Sequence, residues 1–488
     1  MGIVASQSIK NTVTTYLGFG IGAINVLFLF TNFISDTYFG LITFMLSTAN
    51  IMMPLMAFGT NNTIIKFYTI FKTRQSQNSF LTLMLFLPLA IIIPLGLIGQ
   101  FSFEVISNWL SQKNAIIKDY YWLIYISAIN FAYFEVFYAW SRVQMQSVWG
   151  NFMKEVFHRL GTTILLFCLY FEWINVEELI DGIVGIYFLR MLLMAIYAFS
   201  LRQPVLKFHR FKSLSRVLKY TALIIVAGSV ANLILEIDKF MLGYYVDIEK
   251  VAYYGVAIYI ASVIGVPLRS LHQIISPVTA KLLNENNTIE LEKLYKKSSL
   301  NLYIIGGFIF LVIILNINEL YLLIPEKFSG GLLIVILIGI SKLIDNLLGN
   351  SNAILFNSDY YRMVLLLGVF LVITTIGLNM IFIPIYGING SAFATFIAVV
   401  AYNSAKILFV KYAFKITPFT IETLKTTFLI LICVAVFYFW EFPFHAIINI
   451  ALKTILFTAF YGFVVYVFKL SDDVSKILDT LLKRVGIQ

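Results

Sequence analysis

Charged residues are scarce in this sequence, and their scarcity decides the class of protein. Lys, Arg, Asp and Glu together make up 12% of the chain, whereas a soluble domain usually holds about 25%. At the same time 60% of the residues are hydrophobic, and the mean hydropathy is +0.88. These values exclude a water-soluble globular protein. We therefore predict an all-α polytopic membrane protein.

Cysteine, histidine and long polar segments are also scarce. The 2 cysteines lie in apolar runs and the 4 histidines are scattered, so we expect neither a disulfide framework nor a metal site. The longest loop predicted outside the cell runs over residues 104–118 and carries no acid–base constellation. The sequence therefore predicts no enzyme, no cofactor and no nucleic-acid partner.

Long apolar runs dominate the rest of the sequence. A bilayer core takes roughly 20 apolar residues as a helix. Charges, glycines and prolines divide the chain into 14 runs that we predict to span the membrane: 11–34, 41–65, 79–103, 119–139, 156–171, 182–200, 217–236, 251–275, 300–318, 330–350, 363–383, 390–410, 426–441 and 446–468.

Lys and Arg indicate the orientation, since cationic loops stay in the cytoplasm. If the N-terminus is inside, 5 of the 35 Lys and Arg lie in outside loops, so both termini are expected in the cytoplasm. Two six-span lobes would then be parallel repeats around a pseudo-two-fold axis. The predicted division is an N-lobe (1–200), a basic cytoplasmic linker (201–220), a C-lobe (221–410), two further spans (411–468) and a cytoplasmic amphipathic tail (469–488).

Polar residues recur at helical spacing on four of the predicted spans. Asn25 lies on span one, Asn50 on span two, Asn232 on span seven, and Arg269 with His272 on span eight. We interpret these stripes as the walls of a water-filled central cleft. The alternative is that small and polar residues hold neighbouring helices together, as is common in membrane bundles.

Charged residues inside the predicted spans need a partner, a cavity or access to the headgroups. Each costs about 2.5–3.5 kcal/mol at mid-bilayer on insertion scales. Lys406 and Lys453 are expected to snorkel to the membrane surface. The other charged residues of the spans are Arg190, Arg269, Lys342, Glu135 and Asp345.

Two ion pairs are expected among these charges. Glu135 and Arg190 are predicted to pair between spans four and six, and Lys342 and Asp345 lie three residues apart on span ten. Whether Arg190 and Lys342 have a function or are only structurally paired stays open. Arg269 has no carboxylate within a helical turn, and we predict that it binds an anion.

The segment NMIFIPIYGINGSAFAT (379–395) separates the predicted spans eleven and twelve. Pro384 has no amide hydrogen, and Gly387 and Gly390 tolerate positive φ, so the segment is expected to stop the helix in an extracytoplasmic hairpin. The small residues Ser391, Ala392 and Ala394 follow at once, and we expect them to let the next helix pack closely.

Three segments resemble a known family. They are IKNTVTTYLGFGIGAINVLFLFTNFISDTYFGL (9–41), DKFMLGYYVDIEKVAYYGVA (238–257) and NMIFIPIYGINGSAFATFIAVV (379–400). They are similar to the polysaccharide transporters, which include Wzx-type O-antigen and capsule flippases, of the multidrug/oligosaccharidyl-lipid/polysaccharide (MOP) exporter superfamily. The likeness covers nearly the whole chain.

The resemblance implies a flippase that moves undecaprenyl-diphosphate-linked glycan units across the bacterial inner membrane by alternating access. O-antigen, capsule or exopolysaccharide synthesis would use the product, and membrane lipids and a glycan polymerase or chain-length machinery are expected partners. A proton or sodium gradient, or the membrane potential, is expected to drive the exchange. The residues expected in the cleft are Arg269, Lys66, Arg190, Asn25, Asn50, Asn232 and His272, and those expected in coupling or gating are Asp36, Glu135, Lys342 and Asp345.

The sequence leaves rival functions open. An ion-coupled antiporter of drugs or organic cations belongs to the same superfamily, but such a protein needs buried carboxylates, and span one (11–34) has none. A sporulation-type scaffold of the same fold is a further alternative. The identity of the glycan, the coupling ion and the oligomeric state do not follow from the sequence.

Overall fold

The computed structural model describes residues 3–205, 214–476 and 479, which form helices with no β-strand among them. The predicted all-α fold class is thereby confirmed. In a membrane each backbone group must find its hydrogen bond within the protein, and a helix does this within one segment. The α-helices are α1 (Ile3–Ile24), α2 (Phe30–Phe33), α3 (Asp36–Met56), α4 (Thr60–Phe67), α5 (Arg74–Phe86), α6 (Leu89–Phe101), α7 (Phe103–Leu110), α8 (Tyr121–Arg142), α9 (Val148–Phe152), α10 (His158–Tyr170), α11 (Val176–Leu201), α12 (Leu214–Tyr245), α13 (Ile248–Ser262), α14 (Val266–Asn284), α15 (Thr288–Leu315), α16 (Ile317–Tyr321), α17 (Leu332–Leu347), α18 (Ser351–Phe356), α19 (Tyr361–Phe414), α20 (Ile421–Phe437) and α21 (Ala446–Val467).

The described part of the chain contains 10 helical stretches that are long and apolar enough to cross a membrane. One of them, Arg362–Phe414, contains both predicted spans eleven and twelve. The predicted spans 156–171, 217–236 and 426–441 overlap α10, α12 and α20. The chain is a multi-pass membrane protein, while the total of fourteen spans stays a prediction.

The helix break between predicted spans eleven and twelve is shorter than expected. Within α19 the backbone leaves helical angles at Gly387 alone, with φ 58° and ψ −133°. Pro384 lies inside the helical stretch, because its ring fixes φ near the helical value. The local cost is one missing backbone hydrogen bond. The helix therefore stops within the predicted segment, at Gly387 with the expected positive φ, whereas Pro384 and Gly390 remain helical, in contrast to the prediction. Ser391, Ala392 and Ala394 are fully buried, as close packing requires.

The chain divides into two compact units. The first comprises Met1–Gly255 and Asn379–Ile388, and the second comprises Val256–Leu378 and Asn389–Gln488. The predicted lobes and linker have other boundaries and stay a prediction; residues 206–213 of the basic linker lie outside the described residues.

Small residues allow close helix packing in the first unit. A side-chain carbon at Gly40 on α3 would collide with the carbonyl oxygen of Ile248, and Gly243 on α12 faces the ring of Phe44. Without a hydrophobic driving force between helices in lipid, such close backbone approach is a main source of helix association. The Gly40 contact joins α3 to the start of α13, and the Gly243 contact joins α3 to α12.

Candidate ligand cavity

The predicted second span (41–65) is not a single helix. Helix α3 ends at Met56, Gly59 adopts a left-handed conformation with φ 65°, and α4 begins at Thr60. Glycine adopts positive φ without a steric penalty. Pro54 lies in the last turn of α3 and donates no backbone hydrogen bond. Irregular backbone at membrane depth is tolerated where it is buried in protein or lines a cavity.

A cavity of about 190 Å³ lies at this break, within the first unit. Its walls come from the ends of α3 and α4, from α8, from α12 and from the π-helical segment Met153–Phe157. Four polar side chains line it: Asn61, Asn62, Glu135 and Lys154. A water molecule occupies about 30 Å³ in the liquid, so the space suits a hydrated polar group.

An ion pair faces this cavity. Lys154 Nζ lies 2.6 Å from Glu135 Oε1, and their side chains are 43% and 17% exposed. The structure therefore corrects the expected pair of Glu135 with Arg190. Span five was predicted to begin at residue 156, so Lys154 was assigned to a loop. The sequence did place a cation near this helix, since Lys154 lies two residues before the predicted start of span five.

Arg190 is held by aromatic rings instead of a carboxylate. Its side chain is 7% exposed, and its guanidinium carbon lies 4.2 Å from the ring centre of Phe134 and 4.7 Å from that of Tyr187. Its Nε has no hydrogen-bond partner, and no carboxylate of the described residues lies within 4.0 Å of the group. Cation–π contacts stabilise a desolvated cation by about 2 kcal/mol or more. Arg190 is therefore a buried cation whose positive charge is stabilised by the aromatic rings around it.

Three other predicted cleft residues also lie in the first unit. Asn25 is buried: its Nδ2 donates to the carbonyl of Arg159 at 2.9 Å, and its Oδ1 accepts from Thr163 at 2.7 Å. Asn50 is half-buried, and its Nδ2 donates to the carbonyl oxygen four residues earlier, at 3.0 Å. The exposed Lys66 has its ammonium 4.0 Å from the ring centre of Tyr220. None of these three side chains lines the cavity, and their role in binding stays a prediction.

The predicted site residues of the second unit are placed as follows. Lys342 Nζ lies 3.6 Å from Asp345 Oδ2, so these two residues pair as expected from their spacing. Arg269 is exposed and His272 is half-buried, both on α14. Whether Arg269 binds an anion stays a prediction. The side chain of Asn232 lies outside the described residues.

Two lysines that were expected to reach the headgroups are buried. Lys406 is 4% exposed and donates to Asn352 Oδ1 at 3.0 Å. Lys453 is 1% exposed and pairs with Glu319 at 2.9 Å. Snorkelling was therefore the wrong expectation, because other helices supply their polar partners. Glu319 had been assigned to an outside loop.

Two aspartates in the first unit accept hydrogen bonds from tyrosines. Asp36 Oδ2 accepts from Tyr253 at 2.8 Å. Asp238 is 7% exposed and accepts from Tyr254 at 2.7 Å and from Asn379 Nδ2 at 2.9 Å. Asp238 is not among the predicted site residues, because predicted span seven ends at residue 236.

Comparison with known proteins gives the family. A family model described as "Polysaccharide biosynthesis protein" matches residues 4–283. The match covers more than half of the 488 residues. The chain belongs to this family. Among curated proteins, no sequence matches the chain.

Solved structures with this fold are membrane transporters. "Lipid II flippase MurJ, inward closed conformation" has a TM-score of 0.71 at 14% identity and covers 95% of this chain and 100% of its own. An inward-facing MATE family multidrug transporter of the MOP superfamily has a TM-score of 0.59 at 13% identity, covering 85% of this chain and 95% of its own. A MOP superfamily transporter from Pyrococcus furiosus, whose binding pocket is described as of reverse polarity, scores 0.58 at 13% identity, covering 85% and 96%.

These relatives confirm the predicted superfamily fold. They are transporters and a flippase rather than enzymes, which agrees with the expectation that this chain is not an enzyme. At such low identity the likeness concerns the fold, so substrate and site must be argued from this chain's own residues.

Proposed function

We propose that this protein is a flippase for lipid-linked oligosaccharides. Its substrate would be an undecaprenyl-diphosphate-linked glycan unit, moved by alternating access across the bacterial inner membrane for O-antigen, capsule or exopolysaccharide synthesis. Membership of the polysaccharide biosynthesis family supports a glycan, and the likeness in fold to a lipid II flippase supports a lipid-linked one. In this proposal both termini lie in the cytoplasm, and a glycan polymerase is an expected partner.

The observation that carries the proposal is the cavity at the break between α3 and α4. Phosphate and sugar groups cannot cross hydrocarbon without replacement of their water. Asn61 and Asn62 offer amide donors and acceptors for hydroxyl groups, and Lys154 offers an ammonium for an oxyanion. Both asparagines also lie in the first turn of α4, where backbone amides have no acceptor within the helix.

We further propose that an ion gradient drives the exchange, with either a proton or sodium as the coupling ion. Asp238 supports this proposal, since an ionisable side chain inside a membrane helix is by default a functional candidate. It is buried on α12 and accepts two hydrogen bonds from neutral donors. Flipping by Asp238→Asn should lose its dependence on the gradient that drives the wild type, and equal dependence would contradict this role.

The test is a flipping assay in proteoliposomes with a fluorescent lipid-linked oligosaccharide. Lys154→Gln should reduce the initial flipping rate at least tenfold, because the cavity loses its cation. Lys113→Gln is the matched control: Lys113 pairs with Asp247 at 3.0 Å and is 45% exposed, close to the 43% of Lys154, but it does not line the cavity. Normal flipping by Lys154→Gln, or equal loss in both variants, would overturn the role of the cavity.

A second arm of this assay tests the antiporter alternative. The same vesicles are loaded with an organic cation dye, and its efflux is followed under proton and sodium gradients. A flippase should move the dye no faster than empty vesicles do. Gradient-driven dye efflux without movement of the lipid-linked glycan would replace the proposed function with drug export.

A further inference from the structure

The two side chains of the Lys154–Glu135 pair, which both line the cavity, differ in their exposure. The Lys154 side chain is 43% exposed and that of Glu135 is 17% exposed, so more of the lysine side chain than of the glutamate side chain is accessible. An ammonium has three donors, and Glu135 Oε1 occupies one of them at 2.6 Å. An oxyanion entering the cavity can therefore reach Lys154 while Glu135 still contacts it.

The charged groups around this pair are predominantly positive. Arg159 is paired with Glu155 at 3.6 Å, and Arg142 lies 5.5 Å from the ring centre of Tyr138. Arg190 is buried among aromatic rings, and no carboxylate of the described residues lies within 4.0 Å of it. The neutral groups near these charges are Tyr138, Tyr187 and His158, the last of which stacks on Tyr187. Four cations thus face two carboxylates, Glu135 and Glu155, and a second anion would reduce the imbalance.

We propose that Glu135 is a resident counter-ion that competes with the substrate's oxyanion for Lys154 and thereby sets the affinity of the cavity. This inference rests on the proposed function, because it assigns an anionic group of the substrate to the same cavity. Without ligand, the carboxylate neutralises an ammonium that would otherwise be costly at membrane depth. With ligand, a phosphate-type oxyanion takes its place, and the carboxylate must give up the ammonium.

Competition of this kind predicts opposite effects from the two partners. Glu135→Gln keeps the size of the side chain but removes the charge, so Lys154 is left to the ligand. Lys154→Gln removes the cation that both anions share. A pair that only holds helices together would give no increase in affinity when either partner is changed.

The experiment measures calorimetric binding of inorganic pyrophosphate to the full-length protein in phosphatidylcholine nanodiscs at fixed ionic strength. Glu135→Gln should bind about tenfold more tightly than the wild type, the change expected when one close charge competitor is removed. Lys154→Gln should bind at least tenfold more weakly, and the double variant should resemble Lys154→Gln. A parallel arm with glucuronate separates a phosphate group from a sugar carboxylate as the ligand.

Asp247→Asn is the matched control, because it removes the same net charge from an exposed pair outside the cavity. It should leave the pyrophosphate affinity unchanged. If Glu135→Gln fails to fold, Glu135→Asp provides the test, since its shorter side chain should raise the affinity less but in the same direction. Unchanged or weaker binding by a folded Glu135 variant overturns the inference.

The outcome is separable from that of the flipping assay. Tighter binding by Glu135→Gln without any flipping by the wild type would leave the counter-ion role in place and remove the proposed function. Normal flipping with no change in pyrophosphate affinity would do the reverse.

Discussion

Two ion pairs of the same chemistry have different surroundings in this protein. In the second unit, Lys453 and Glu319 are 2.9 Å apart, and their side chains are 2% and 7% exposed. Lys453 also donates to the carbonyl of Leu315 at 3.0 Å. In the first unit, Lys154 and Glu135 are 2.6 Å apart but open onto a cavity, with 43% and 17% of their side chains exposed.

The two ion pairs differ in how deeply their charged side chains are buried. The sealed pair has no access to solvent, so each member depends on the other for its charge to be tolerated. The cavity pair is less buried, so we expect the loss of one partner to cost less there than at the sealed pair. The sealed pair therefore stabilises the fold, whereas the cavity pair is free to exchange its partner for a ligand.

The largest effect is expected at the sealed pair. Lys453→Met leaves the Glu319 carboxylate buried without a cation and should lower the free energy of unfolding by about 3–5 kcal/mol. Lys154→Met, at the less buried cavity pair, should lower it by less than Lys453→Met does. Thermal unfolding of both variants in the same detergent measures the contrast.

A double variant checks the cause of this loss. Replacing both members, as in Lys453→Met with Glu319→Leu, should recover most of the stability, because no charge is then left buried. Equal destabilisation by Lys453→Met and Lys154→Met would remove the distinction between the sealed pair and the cavity pair.

An intermediate effect on stability is expected when a glycine is replaced by alanine in each of the two units. Gly306 on α15 faces the amide of Asn346, which is buried and donates to the carbonyl of Ile264 at 2.8 Å. Gly306→Ala should therefore cost about 1–3 kcal/mol, the usual price of overpacking. At Gly228, beside the cavity, the nearest atoms to an added carbon are those of Pro54 and Asn62, at 3.6 and 3.7 Å.

Gly228→Ala is consequently the control for Gly306→Ala. It meets ordinary contact distances and gains helix propensity, so the unfolding temperature should stay equal or rise slightly. Comparable losses in the two variants would indicate that the cavity wall is packed as tightly as the second unit.

The smallest effect is expected at a third, exposed pair. Asp473 Oδ1 lies 2.9 Å from Lys297 Nζ, with 58% of the lysine and 36% of the aspartate exposed. The hydrogen bond from Lys297 lowers the pKa of Asp473. Because its pKa is lower in the folded state, the stabilisation is present above the unfolded pKa and is lost as the pH falls through the folded one. Asp473→Asn should cost less than about 1 kcal/mol at neutral pH.

The measurement is the unfolding temperature of wild type and Asp473→Asn between neutral and acidic pH. The small difference between them should vanish on acidification. A difference that persists in acid would contradict a contribution from the charge of Asp473.

The fold class was predictable because it depends on composition and on the length of apolar runs. The pair of Lys342 and Asp345 was also predictable, since three residues bring side chains onto one face of a helix. Partners on other helices were not. Lys453 was expected to snorkel because its carboxylate, Glu319, lies on α16 and had been assigned to a loop.

The cavity was partly visible in the sequence. Pro54 and Gly59 are helix-breaking residues five positions apart. The predicted span 41–65 nevertheless runs through both as one continuous helix. The π-helical segment that carries Lys154 has no sequence signature that we could use, since one extra residue in a turn leaves the apolar pattern almost unchanged. The site was missed where the backbone departs from a regular α-helix.

The break between α3 and α4 has an electrical consequence. The aligned peptide groups of a helix place about half a positive elementary charge at its first turn. Asn61 and Asn62 lie in that turn of α4 and border the cavity. The end of α3 also borders the cavity and carries the opposite partial charge, so the main-chain field there depends on both helix ends and involves no titratable group. It will therefore persist over the whole pH range in which the protein remains folded.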